Sequence, residues 1–98
     1  MWWGRTNPGD ERDYLDYLEN TVLPEIRAIE GSRGARVLCP TDGGGRDFTV
    51  LTFWADLDAV KAFAGPSPDT AVVPEHAQAL LADYDRLVQH YEVVLESS

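Results

Sequence analysis

Ninety-eight residues, 44% of them hydrophobic and 26% charged, describe one ordinary globular domain spanning 1–98. Seventeen acidic against eight basic side chains give a net charge of -9, which opposes nucleic acid and anionic membranes as partners. No apolar run approaches the roughly 18–20 residues of a membrane span, and MWWGRTNPGDE has neither the basic nor the apolar region of a signal peptide. With Cys39 the single cysteine, no internal disulfide is possible and a reducing cytoplasm is expected.

Residues 1–6 read as the end of a first strand. Asn7 is a good N-cap, Pro8 fits a first helical turn, and Asp10 and Glu11 suit the positive end of the dipole, so a helix is expected from there. Tyr14 (or Leu15), Leu18, Val22, Ile26 and Ile29 recur at spacings of three and four, the stripe of a long amphipathic helix. Its acidic run DERDYLDYLE is a solvated face. Pro24 predicts a break between Leu23 and Glu25, with 25–29 as a separate turn, because proline removes a hydrogen bond and clashes with the preceding turn. Residues 31–34 form a turn and 35–39 a second strand. The segment 40–45, PTDGGG, is a hairpin loop; its glycines lie between strands rather than before a helix, so they are no phosphate cradle.

Residues 46–65, RDFTVLTFWADLDAVKAFAG, carry the strongest signal: a strand running straight into a helix. Phe48, Val50, Thr52 and Trp54 share one strand face, and Thr49, Leu51 and Phe53 the other. A strand apolar on both sides has both covered, and so short a chain has helices enough for one face only; a second copy is expected on the other. Asp56 offers an N-cap oxygen, Leu57, Val60, Phe63 and Ala64 form the helix stripe, and Gly65 with Pro66 ends it. A loop over 66–69, a short helix over 74–83 and a last strand over 87–96 complete the order βαββα(α)β. That is a ferredoxin-like α+β domain with an antiparallel sheet, paired as a homodimer.

FTVLTFW, DAVKAFAG, AVVPEH and VQHYEVV, with LPEIRAIEGSRGARVL before them, resemble the antibiotic biosynthesis monooxygenase-like proteins of the dimeric α+β barrel superfamily. The resemblance covers almost the whole chain. It implies the fold and the dimer, and an activity among cofactor-independent oxygenases, haem-degrading enzymes or proteins without assigned chemistry. Haem-degrading relatives use a histidine from about the region of His76, an asparagine on the first strand and a tryptophan on the second helix. Here the first strand has Trp3, Gly4 and Arg5, and the helix has Phe63, so one part of three is present. The family also begins with a fuller first strand than the one ending in Trp3-Gly4-Arg5.

His90 and Glu92, two apart on the expected last strand, share a face, and a histidine beside a carboxylate can serve as a general base. The alternative is a histidine hydrogen-bonded within the sheet or at the dimer interface. Trp54, Trp3, Tyr14 and Phe63 are candidate walls for a flat aromatic or polyketide-like molecule, with Tyr17, Phe53 and Tyr91 adding to the aromatic surface; core and interface packing is the other reading. Dinucleotide, Walker and CxxC motifs are absent, and His76 and His90, fourteen residues apart, make a poor metal site. No cofactor and no metal are expected. The sequence leaves three functions open: a cofactor-independent monooxygenase, a non-catalytic binder of a small hydrophobic ligand, and a structural or stress-related dimer.

Overall fold

The structure is a computed structural model, and it describes residues 1–41, 45–65, 67 and 69–97. Four strands, β1 (Trp2–Thr6), β2 (Ser32–Leu38), β3 (Asp47–Trp54) and β4 (Leu81–Tyr84), form one antiparallel sheet in the order β2-β3-β1-β4. With helices between β1 and β2 and between β3 and β4, this is the expected ferredoxin-like α+β domain. Of the expected hairpin loop, residues 42–44 lie outside the described residues, as do Pro66 and Pro68 of the loop after the β3 helix.

One face of the sheet carries the helices. Phe48, Tyr14, Leu18 and Leu81 make the core there, with Trp2, Val37 and Val50 packed against it. The register then assigns the opposite face: Leu38, Thr49 and Trp3 in one row, Arg36 and Leu51 in the next, and Asp47 beside Arg5, joined by a 2.8 Å ion pair. No described helix covers that second face, where Leu38 and Phe53 stand exposed. Arg46 locks the start of β3 to the end of β1: its guanidinium donates twice to the Thr6 carbonyl, at 3.0 and 2.9 Å, and Thr6 is wholly buried.

The first helix begins later than expected. Asn7 and Asp10 close a turn through the Asp10 N–H to the Asn7 carbonyl (3.0 Å), Gly9 takes a positive φ within it, and α1 runs Glu11–Tyr17 with Asp10 as N-cap. The break expected between Leu23 and Glu25 is found elsewhere. A π-helical turn, Leu18–Val22, precedes the proline, and α2 (Leu23–Arg27) follows with Pro24 in its first turn. Proline is tolerated there because the first turn's N–H groups have no partner within the helix. The strain is absorbed upstream, in wider hydrogen bonding, rather than by separating the chain. In place of the expected 31–34 turn, β2 starts at Ser32 and its pairing with β3 shifts between Ser32 and Ala35.

After β3, Asp56 caps α3 (Leu57–Ala64) by accepting from the Ala59 N–H at 2.9 Å, and Gly65 ends it with φ 85°. The expected stripe holds at Val60, Phe63 and Ala64, which are half-buried, but not at Leu57, which is 51% exposed, and Ala59 is the fully buried residue of this helix. The expected helix over 74–83 is shorter, α4 (Glu75–Leu80), since the chain turns extended at Leu81. That corrects the last strand as well. β4 is Leu81–Tyr84, paired with Gly4–Thr6, whereas residues 87–96 form no strand beyond an isolated bridge between Leu87 and Thr70. The four residues leaving α4 meet the free edge of β1 first, and Leu81 enters the core beside Gly4. Past β4 the chain still follows that edge as far as Gln89, which exchanges two hydrogen bonds with Met1 (2.7 and 3.0 Å).

Candidate functional site

A cleft of about 1170 Å³ lies between the helical run, the C-terminal half of β3, α3 and the chain after Val88. It is somewhat larger than the roughly 300–1,000 Å³ of typical small-molecule sites. Two aromatic groups line it, Tyr14 with Tyr17 and Trp54 with Phe63. Tyr14 packs on Phe48 (ring centroids 5.6 Å apart) and beside Tyr17 (6.4 Å), while Trp54 from the end of β3 meets Phe63 of α3 at 5.9 Å. Trp54 is fixed by its indole N–H, which donates to Thr52 Oγ1 at 2.8 Å. Tilted rings at these distances are rigid apolar walls suited to a flat ligand.

The polar content of the interior is small. Tyr14 is 2% exposed and lines the cleft, yet its hydroxyl has no hydrogen-bond partner among the described residues. Burial pushes this phenol well up from its ordinary value, and the neighbouring Tyr17 adds to the effect. Tyr17 is raised too, by burial and then by Glu25. Both phenols therefore stay protonated and serve as donors, not as bases.

Of the expected site residues, the structure brings Tyr14, Trp54, Phe63, His90 and Glu92 to one cleft. Trp3 is not among its lining residues; it pairs with Thr49 on the other face of the sheet, with the Arg5 guanidinium 5.3 Å from its ring. The tryptophan of β1 that lines the cleft, beside Trp54 of β3, is Trp2, and strand alternation identifies it once the register Trp2↔Val50 is known. His90 and Glu92 do not form the expected strand pair. His90 Nε2 lies 3.2 Å from Asp69 Oδ1, at the rim, because the Thr70↔Leu87 bridge brings the two loops together. No local spacing in the sequence signals that contact. His76 is exposed on α4 with its ring 5.2 Å from Tyr17. Among the described residues no three His, Cys, Asp or Glu side chains gather as a metal site, and no helix is long and apolar enough to cross a membrane.

Tyr14→Phe tests the unpartnered hydroxyl. Near neutral pH the urea midpoint should hardly move, since no protein hydrogen bond is lost. In alkali the two proteins should part. The wild-type phenol ionises in the unfolded chain near 10.0 but resists ionisation in the fold, so its contribution is complete below that pH and is lost as pH rises above it. The variant lacks this loss, and urea titrations at about pH 7 and about pH 11 read the difference.

A four-stranded antiparallel sheet with helices on one face and an aromatic-lined cleft against them defines a small ferredoxin-like α+β domain. A family model described as antibiotic biosynthesis monooxygenase matches residues 5–66, well over half of the chain, and the chain belongs to that family. Tyr14, Trp54 and Phe63 lie inside the matched span; Trp3, His90 and Glu92 lie outside it. No curated protein and no solved structure matches the chain.

Proposed function

We propose that this protein is a cofactor-independent monooxygenase, acting as a homodimer on an aromatic or polyketide-like small molecule in a reducing cytoplasm. The observation that carries the reading is the cleft itself: two aromatic walls and the phenol of Tyr14, whose ring is buried while its hydroxyl, without a partner among the described residues, is open to the cleft. A planar phenolic ligand fits between Tyr14 and the Trp54–Phe63 pair, with an oxygen accepting from the Tyr14 hydroxyl. Trp3, on the other sheet face, has its place in the dimer interface rather than against the ligand. That face, with Leu38, Leu51 and Phe53, is the one for a second copy to cover.

His90 is the proposed base. It takes the phenolic proton, with Asp69 holding the imidazolium and Glu92 adding negative charge at the rim. The phenolate gives one electron to dioxygen, the resulting radical pair combines as a peroxide on the ring, and the His90 imidazolium returns its proton to make the hydroperoxide. Loss of water leaves one oxygen atom in the product as a carbonyl and the other in water. The protein supplies orientation, a proton acceptor and shelter from solvent, and the substrate supplies the electrons.

The second reading is a non-catalytic binder. It is favoured by the interior phenols, neither of which can accept a proton, and by the position of the imidazole at the rim. His90→Gln separates the two. With a panel of hydroxynaphthalenes and anthrones, oxygen uptake by the wild type that falls by about 10²-fold or more in the variant, with binding retained, supports the base. Tight binding with no oxygen uptake by either protein supports the binder, and an unchanged rate in the variant removes His90 from the mechanism.

A further inference from the structure

A second, smaller cavity of about 320 Å³ lies beside the cleft, between the helical run, α3 and the loop before α4. The two adjoin, for Tyr17, Val22, Phe63, Val72 and Pro74 border both. Past that boundary Glu25, Ile29 and Ala62 complete the smaller cavity among the described residues, so its walls are mostly apolar. The local sequence explains the space. Val22, Glu25 and Ile29 recur at spacings of three and four and share one flank of the helical run. On the α3 side Ala62 has only a methyl group to set in the gap, and the gap stays open.

Tyr17 and Phe63 frame the boundary from its two sides, and each belongs to an aromatic group of the main cleft. Tyr17 is braced between Tyr14 and His76, with ring centroids 6.4 and 5.2 Å away, and Phe63 by Trp54 at 5.9 Å. A flat ligand seated against these rings therefore lies next to the side cavity. Burial, and then the charge of Glu25, keep the Tyr17 phenol protonated, so the boundary itself is uncharged. Water against such walls finds few partners, and an apolar group that displaces it gains affinity.

We infer that the side cavity is a subsite for an alkyl substituent of the ligand. The fused rings occupy the cleft between Tyr14 and the Trp54–Phe63 pair, and an uncharged chain attached to them passes between Tyr17 and Phe63 toward Ala62. The inference rests on the ring site proposed above and narrows its substrate class to alkyl-substituted phenolic aromatics. Glu25 selects the end of the chain: a carboxylate there meets a like charge, and a methyl group does not.

Calorimetric titration with unsubstituted naphthol and with n-pentyl naphthols, the chain placed at different ring positions, tests it. A fully buried methylene strengthens binding by about fourfold at most. In a cavity open on one side, the best pentyl isomer should bind the wild type about tenfold more tightly than naphthol. Ala62→Phe fills the side cavity from an exposed helix position that is no part of the cleft lining, so the fold should tolerate it. This variant should bind naphthol as the wild type does and lose most of the gain from the chain. A matched chain ending in a carboxylate should bind the wild type more weakly than the pentyl chain, and Glu25→Gln should recover about two- to fivefold of that difference. A pentyl chain that adds no affinity at any position, a gain that survives in Ala62→Phe, or equal binding of the two chain ends overturns the subsite and leaves the ring site standing. No binding of any of these compounds to the wild type overturns the ring site itself, and the function proposed for it.

Discussion

Phe48→Ala should lower folding stability by about 3–5 kcal/mol, the range for a large aromatic removed from a closed core. Phe48 is 3% exposed and sits mid-strand in β3, where its ring meets Tyr14 and contacts the cluster of Leu18 and Leu81. Its cross-strand neighbour is Gly4, which has no side chain to move into the space left behind. The space therefore persists as a cavity, and the cost is the lost transfer energy plus the cavity. Against a total of about 5–15 kcal/mol for a typical domain, such a change puts the fold near its limit. Phe53→Ala, on the outer face of the same strand, is the control: in the monomer it should cost about 1 kcal/mol or less, since the ring is already partly in water. Urea unfolding followed by far-UV circular dichroism measures both, and equal losses would contradict this account of the two faces.

Gly31→Ala is the other substitution with a large expected effect. Gly31 has φ +93°, and a Cβ built there would lie 2.7 Å from the Cβ of Ala59. The two penalties are separate in origin: a left-handed backbone that an L side chain resists, about 1–2 kcal/mol, and an overlap that forces α3 off the sheet, about 1–3 kcal/mol. The Gly31 carbonyl also accepts from the Ala55 N–H at 2.7 Å, so the displaced segment is the one that holds the turn from β3 into α3. The double substitution Gly31→Ala/Ala59→Gly removes the overlap and leaves the backbone term. It should recover part of the loss despite placing a glycine inside a helix. No recovery in the double variant would mean that the contact with Ala59 is not the limiting one.

What could be read in advance was what is written locally. The strand Asp47–Trp54 and the helix after it follow from alternation, a capping aspartate and a terminating glycine, all within twenty residues. The orientation of that helix was legible only in part. Its stripe of large residues suggested burial of Leu57, but the helix packs through small Ala59 because Gly31 permits a close approach from a distant turn. The last strand differs from the expected one for a related reason. Residues 87–96 have the stronger strand composition, yet connectivity decides: α4 ends where β1 offers an open edge, and 81–84 is the segment that reaches it. The pairing of His90 with Glu92 depended on that strand and went with it, and the contact with Asp69 arises from two loops meeting in space. Tyr14, Trp54 and Phe63 do line one cleft, each on an element whose existence the local pattern signals.

The π-helical turn at Leu18–Val22 has a bearing on how tightly this first helical run is specified. In a regular α-helix a step of four residues overshoots a full turn by about 40°. Tyr14, Leu18, Val22 and Ile26 are spaced by fours, so in an unbroken α-helix the stripe would wind away and carry Ile26 about a third of the way around from Tyr14. A turn that closes on the fifth residue rotates less per residue and cancels much of that drift. Tyr14, Leu18 and Ile26 are all buried as a result, on one flank of the run. The widened turn thus acts as a phase corrector: it lets a chain punctuated in fours present a single straight seam to the sheet, and the proline just after it keeps the corrected phase from slipping back.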